Sequence, residues 1–271
     1  MLTKSQQDEL RTHYNPKGSN IRNLQLNLLS ILTEFDEFAR KNKLTYSISY
    51  GTLIGAIRHH GFIPWDDDAD IMLTRKEWNE LKKHIRPDGF ITDAISIKEI
   101  VRPELHMANK GIIDIFIMDY APKNYFLDRL KGLLCMLLCL LLKCKNRIIR
   151  HQYNHPKMWF VLIPFAYLFS VNILVKWKDE VSQWFTPKVM HEGDNVRLYN
   201  GDPKALQTIH AYGLVSGQKI DVEFEGYKLM SIPQYDAFLR IWYGDYMQLP
   251  KFPENLGRAA DCDFYDNKVN K

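Results

Sequence analysis

Cysteine is scarce in this chain. There are four in 271 residues, at positions 135, 139, 144 and 262, and none form a C-x-x-C pair. That excludes a disulfide-rich secreted scaffold and a zinc-ligand spacing, and leaves buried, reduced thiols. Dense blocks of Lys and Arg are missing too, so nucleic acid is not an expected partner. The net charge of +4 fits contact with anionic nucleotides or lipid head groups. The first residues, MLTKSQQDELRTHYN, hold no apolar stretch. No secretory leader is read there, and cytoplasmic residence is expected. No apolar run is both long and unbroken. Leu133 to Leu142 is too short to cross a bilayer, and Met158 to Val175 is interrupted by Pro164, Ser170 and Asn172. Compositional bias is absent as well. With 46% hydrophobic and 25% charged residues, a globular chain of one domain, or one domain with an insertion, is expected.

What is present is concentrated between Tyr46 and Leu73, in YSISYGTLIGAIRHHGFIPWDDDADIML. Leu44, Tyr46, Ile48 and Tyr50 alternate with Thr45, Ser47 and Ser49, which predicts a strand over 44–50. Gly51 and Thr52 follow, then LIGAIRHH reads as a short helix closed by Gly61. A strand entering a helix through a glycine leaves backbone N–H groups free to meet a phosphate.

Asp66, Asp68 and Asp70 share one parity, so an extended chain would project them from one face. Two such carboxylates at roughly 4 Å and an effective dielectric near 20 repel by about 4 kcal/mol. A cation belongs among them, and hard oxygen ligands favour Mg²⁺ or Mn²⁺. The same residues with Glu77 occupy positions 1, 3, 5 and 12 of a calcium loop, but Ile71 stands where that loop needs glycine. A phosphate cradle beside a divalent-cation site is the apparatus of phosphoryl or nucleotidyl transfer.

The run GTLIGAIRHHGFIPWDDDADI resembles the diagnostic segment of the LicD family, which includes phosphorylcholine transferases and, more distantly, fukutin-type proteins. IDIF within KGIIDIFIMDY and the later YGDYMQLP extend the resemblance, although Lys251 and Phe252 depart from the family pattern. The resemblance implies an α+β fold: a nucleotidyltransferase-like mixed sheet flanked by helices. It also implies Mg²⁺-dependent transfer of a phospho-alcohol from a CDP-linked donor to a glycan. Asp68, Asp70 and Asp114 are then the catalytic and metal-holding set, with Asp114 inside a buried apolar strand where a lone carboxylate is costly. Gly51, Thr52, Gly55, Arg58, Asp66 and Asp67 are the expected substrate-side residues. Asp119 has the opposite parity to Asp114 and reads as structural or substrate-near.

Elsewhere, Ser19 or Asn20 caps a helix running to about Lys41, with a stripe from Ile21 through Leu28, Ile31 and Leu32 to Phe38. DVEFEGYKLMSI reads as a hairpin turning at Glu225-Gly226, followed by a helix from Pro233 to Tyr243. The expected division is a catalytic core over 1–122, a helical hydrophobic insertion over 123–195, and a return to the core over 196–271. Two readings of the insertion stay open: buried helices, or a segment lying in a membrane interface with Trp159 and Trp177 at its boundary. Three rival functions remain: a cytidylyltransferase making the CDP-alcohol, an Asp-x-Asp glycosyltransferase, and a non-catalytic membrane adaptor.

Overall fold

Ser19 is extended and its hydroxyl accepts from the Arg22 N–H at 3.3 Å, so the capped helix forms as α2 (Asn20–Lys41). Leu28, Ile31, Leu32 and Phe35 of its stripe are fully buried, and Leu24 and Phe38 pack at the margin. Before it lies α1 (Lys4–Tyr14), whose Thr3 and Gln6 form a capping box. The computed structural model of the chain describes residues 2–99, 102–149, 159–188, 190–191, 194–199, 210–211 and 218–249.

Under α2 lies a mixed sheet, which makes the fold α+β with helices flanking the strands. Its axis is β5 (Gly111–Tyr120), the buried strand read from KGIIDIFIMDY. On one side β5 pairs in parallel with β2 (Asp70–Thr74), and β2 pairs antiparallel with β1 (Ser47–Ile48). On the other side β4 (Pro103–Met107) pairs with the first half of β5, and β3 (Ile95–Glu99) continues the sheet beyond it. The last residues of β5, from Met118 to Tyr120, pair instead with β6 (Asn195–Leu198), and β7 (His210–Ala211) follows β6. One long strand thus gathers segments from across the chain. Ile113 and Ile115 on it, and Ile71 on β2, are fully buried.

The strand predicted over 44–50 shrinks to two residues. The Leu44 N–H caps α2 at the Ala39 carbonyl (2.9 Å), and the Thr45 N–H meets the Glu77 carboxylate (2.9 Å), so neither is available to a ladder. Tyr50 then turns into helix with φ +47°. Nor is Glu77 free for a calcium loop. It lies in the first turn of α4 (Arg75–Lys82), capped by Thr74.

The hairpin forms as predicted, β8 (Ile220–Phe224) with β9 (Tyr227–Ser231), and both turn residues, Glu225 and Gly226, are left-handed. Glu225 reaches Arg22 through two hydrogen bonds of 3.1 and 2.8 Å and accepts from the Phe62 N–H. Helix α8 (Tyr235–Tyr243) ends at Gly244 with φ +65°.

Helices α5 (Tyr125–Ile149), α6 (Trp159–Leu168) and α7 (Val171–Ser182) make up the described part of the hydrophobic stretch. Charged side chains, not only apolar ones, hold them to the sheet. Arg75 grips Asp119 at the end of β5 through bonds of 2.6 and 2.9 Å and also meets Asp179 and Ser182 of α7. Asp128 of α5 is fully buried against Arg197 (3.0 Å) and Tyr199 (2.7 Å). Lys131 donates to the Tyr120 carbonyl and lies over the Tyr199 ring. Asp119 is therefore a docking residue. Burial pushes the Cys135 thiol up to about 12, in keeping with an inert thiol.

Candidate active site

The site begins where β1 becomes helix. Ser49 takes the cap position and α3 (Tyr50–Ile54) starts one residue before the glycine, not after it. The predicted helix LIGAIRHH then divides. Gly55–His59 form a single π turn, closed by His60 with φ +54°, so the left-handed stop is a histidine and not Gly61. The glycines serve close approach. A Cβ on Gly55 would sit 2.4 Å from the Gly61 carbonyl oxygen, and one on Gly61 would strike the Glu225 carboxylate. A Cβ on Gly51 would sit 2.7 Å from Asp66 Oδ2, so its absence lets that carboxylate lie against the start of α3. The Ser49 hydroxyl is buried there with no hydrogen-bond partner among the described residues.

Arg58 is buried, and its guanidinium is committed across the fold. Nη1 donates to the carbonyls of Tyr246 (2.6 Å) and Gln248 (3.0 Å), and Nε donates to His59 Nε2 (2.9 Å). It ties the π turn to the YGDYMQLP element. Burial lowers its pKa to about 10, and burial with the charges of Arg58, Arg11 and His60 lowers His59 to about 3. His59 is neutral and accepts the arginine's hydrogen bond.

The acidic segment is not one extended face. Asp66, Asp67 and Asp68 lie in the loop before β2, and only Asp70 belongs to the strand. Strand parity does not govern a loop, and the chain instead brings the carboxylates of Asp66, Asp67 and Asp68 within 4.8 Å of one another. Asp67, which parity would send to the opposite face, joins the group. Asp70 is anchored by its N–H, which donates to the Thr52 hydroxyl at 2.9 Å. The Thr52 side chain thus fixes the helix start to the strand start.

The second contribution comes from β5. Asp114 is the Cα partner of Asp70 across the parallel pair, so both carboxylates leave the same face of the sheet. Glu104 on β4 is the partner of Asp114 on its other side. Arg102 bridges toward this row: its Nη2 lies 2.6 Å from Asp114 Oδ2 and its guanidinium rests over the Phe116 ring.

Electrostatics follow from the crowding. Burial first, then the charges of Asp68 and Asp67, pushes Asp66 well above the usual carboxylate range. Burial with Asp68, Asp114 and Asp66 does the same to Asp70. Desolvation raises Asp68 and Asp114, while Arg102 pulls both down. Tyr243 of α8 stands at the rim. Desolvation of its hydroxyl first, then the charges of Asp70, Asp66 and Asp68, raise its phenol. Arg102, Glu104 and Tyr243 were not among the sequence candidates. The parity of Arg102, Glu104 and His106 in RPELHM was the available signal for the first two.

The donor set fits Mg²⁺ or Mn²⁺. It is composed of carboxylate oxygens, it carries negative charge that Arg102 offsets in part, and its raised carboxyls are those a divalent cation would hold ionised.

Residues 43–125 match the family model LicD/FKTN/FKRP, nucleotidyltransferase domain. That span contains α3, the π turn, the acidic loop and the whole of β5. A lipopolysaccharide cholinephosphotransferase, LicD, of Haemophilus influenzae is 27% identical over 256 residues, 86% of this chain and 94% of that protein. An uncharacterized protein of Rickettsia prowazekii is 31% identical over 102 residues, 38% of this chain and 36% of that one. Residues 43–125 thus resemble the LicD/FKTN/FKRP nucleotidyltransferase domain, and the likeness to the Haemophilus influenzae LicD protein runs along most of the chain.

Proposed function

We propose that the protein transfers a phospho-alcohol, of the phosphocholine kind, from a CDP-linked donor to a hydroxyl of a cell-surface glycan or its lipid-linked precursor. The observation that carries this reading is the pairing of Asp70 with Asp114 on one sheet face, beside the carboxylates of Asp66, Asp67 and Asp68. The Haemophilus influenzae relative, a lipopolysaccharide cholinephosphotransferase by name, supports a transferase acting on a glycan.

In the proposed reaction the acceptor hydroxyl oxygen bonds to the phosphorus that bears the alcohol. The bond from that phosphorus to the bridging oxygen breaks, and CMP departs with the electron pair. Mg²⁺ or Mn²⁺ held by Asp68, Asp70 and Asp114 would offset charge on the phosphate oxygens and the leaving group. Asp66 and Asp67 orient that set from the loop. Backbone N–H groups of Gly51 and Thr52 face the donor phosphates, and Arg102 supplies a further cation. The acceptor's proton passes to a carboxylate of the row, and Asp114 either completes the cation's coordination or takes that proton. The protein works at the inner face of the cell membrane, where lipid-linked acceptors are presented.

The test is to incubate the protein with Mg²⁺ and CDP-choline plus glycan acceptor, and separately with CTP plus phosphocholine. CMP release only in the first supports the transferase. Pyrophosphate release only in the second reassigns the site to a cytidylyltransferase. Neither product, with no Mg²⁺ binding by calorimetry, leaves the adaptor reading.

A further inference from the structure

The helices beyond the catalytic sheet carry an apolar surface with nothing described against it. Among the described residues, 18 large apolar side chains are exposed, and 13 of them fall between Tyr125 and Phe185. On α5 they form a line. Phe126, Leu130, Leu133 and Leu137 recur at helical spacing and are 71%, 38%, 52% and 44% exposed. Trp177 and Trp184, on and just after α7, are exposed as well. An exposed apolar line of this kind on a protein surface calls for a partner.

Charge identifies the partner. Residues 123–188 hold eleven Lys and Arg against three Asp and Glu. The rest of the chain holds 25 basic against 29 acidic residues, so the positive charge of the whole protein resides in this segment. Of the three acidic residues, Asp128 is buried and Asp179 is bound to Arg75. Lys143, Lys176 and Lys188 are exposed. No described helix is long and apolar enough to cross a membrane, and α6, ten residues long, carries Pro164 within it. An apolar stripe without spanning length, exposed tryptophans on and after the helix packed against it and a basic surround match a helix lying in the plane of a lipid interface.

We infer that α5 and α7 form a docking face for an anionic lipid surface, with the Phe126–Leu137 line entering the acyl boundary and the lysines meeting head-group phosphates. The inference rests on the membrane location proposed above and names the surface that produces it. The face offers one aromatic ring, three leucines and no hydrogen-bonding side chain along these four positions, as an acyl boundary requires.

The test is sedimentation of the full chain with vesicles, scored without donor or acceptor so that it stands apart from the transfer reaction. Vesicles of phosphatidylglycerol and phosphatidylcholine should take down the protein at least tenfold more effectively than pure phosphatidylcholine, and 0.5 M salt should weaken that preference. The variant Phe126→Ser/Leu130→Ser/Leu133→Ser should lose at least tenfold in vesicle binding. Its thermal midpoint and its CMP release with a soluble acceptor should stay unchanged. Because a triple variant can misfold, Lys143→Glu/Lys176→Glu provides a second arm, expected to lose the anionic preference alone. Absence of vesicle binding by the wild type overturns the inference. So does binding of anionic vesicles by both variants at the wild-type level, and so does a wild-type dimer that the serine variant converts to monomer without any lipid binding.

Discussion

Asp70 and Asp114 stand opposite each other in the parallel ladder, 44 positions apart in the chain and one strand spacing apart in the fold. Side chains of register partners leave the same face, about 5 Å apart at their Cα atoms. Both are raised by desolvation, and Asp70 also by the charges of Asp68, Asp114 and Asp66. A carboxyl whose pKa is raised in the folded state gives stability below its unfolded value that is lost as pH rises through the raised value. At neutral pH, without a cation, the ionised cluster works against folding. Asp70→Asn should therefore unfold at a higher temperature than wild type in EDTA. It should fail to gain stability from Mg²⁺, and should lose about a hundredfold or more in CMP release. Calorimetric melts with and without Mg²⁺, alongside the release assay, check all three.

Gly51 separates packing from chemistry. An alanine Cβ would sit 2.7 Å from Asp66 Oδ2, and that oxygen ends a movable side chain, so the carboxylate and not the backbone would yield. Gly51→Ala should leave the unfolding free energy within about 1 kcal/mol of wild type, since Gly51 has helical backbone at the start of α3 and alanine is the better helix former. Activity should fall by about tenfold or more because Asp66 is displaced from its neighbours. Urea unfolding and initial rates on the same preparation show whether the two effects part.

These contacts also mark what the sequence disclosed. Helix α2 was legible because a serine cap and a 3.6-residue stripe agree, and β5 because an apolar, β-branched run leaves few alternatives. The hairpin at Glu225-Gly226 was legible because two left-handed residues suit that dipeptide. Parity misled at Asp66 and Asp68, since it holds only in extended chain and those residues are in a loop. Gly55 and Gly61 carried no local sign that each makes room for a distant group. Arg58 carried none that its partners would be carbonyls of Tyr246 and Gln248. Such facts belong to tertiary contact and have no period to read.

Arg75 should be the costliest single truncation outside the core. Its guanidinium satisfies buried Asp119 twice and holds Asp179 and Ser182 of α7. Removing one partner of a buried pair leaves the other charged and unpaired, at about 3–5 kcal/mol. Arg75→Ala should therefore unfold at markedly lower urea, and amide exchange should speed up first in α7.

His59 sets an acid limit on the fold. Its folded pKa of about 3 lies below the unfolded value of about 6.5, so unfolding takes up a proton between those limits. Stability held at neutral pH is lost as pH falls below about 6.5. His59→Gln keeps an acceptor for Arg58 Nε and does not titrate. Between pH 6.5 and 5, wild type should lose about 1.5 kcal/mol more than this variant in urea unfolding. Equal losses would mean that His59 is already charged in the native state.

Arg102 makes a prediction of two opposite signs. Its Nη2 lies 2.6 Å from Asp114 and its plane covers Phe116, so in the absence of a metal the cation nearest the carboxylate row is an arginine. A second cation entering that row meets its repulsion, and a donor diphosphate meets its attraction. Arg102→Ala should therefore bind Mn²⁺ more tightly, by about tenfold or about 1.4 kcal/mol. The KM for the CDP-linked donor should rise by about tenfold. Arg102→Lys should restore little of the latter, because an ammonium neither stacks on Phe116 nor forks to phosphate. Mn²⁺ titration by electron paramagnetic resonance reads the first effect without any substrate. If metal and donor affinity fell together, Arg102 would be bracing the site's geometry, and its charge would not be acting on either ligand.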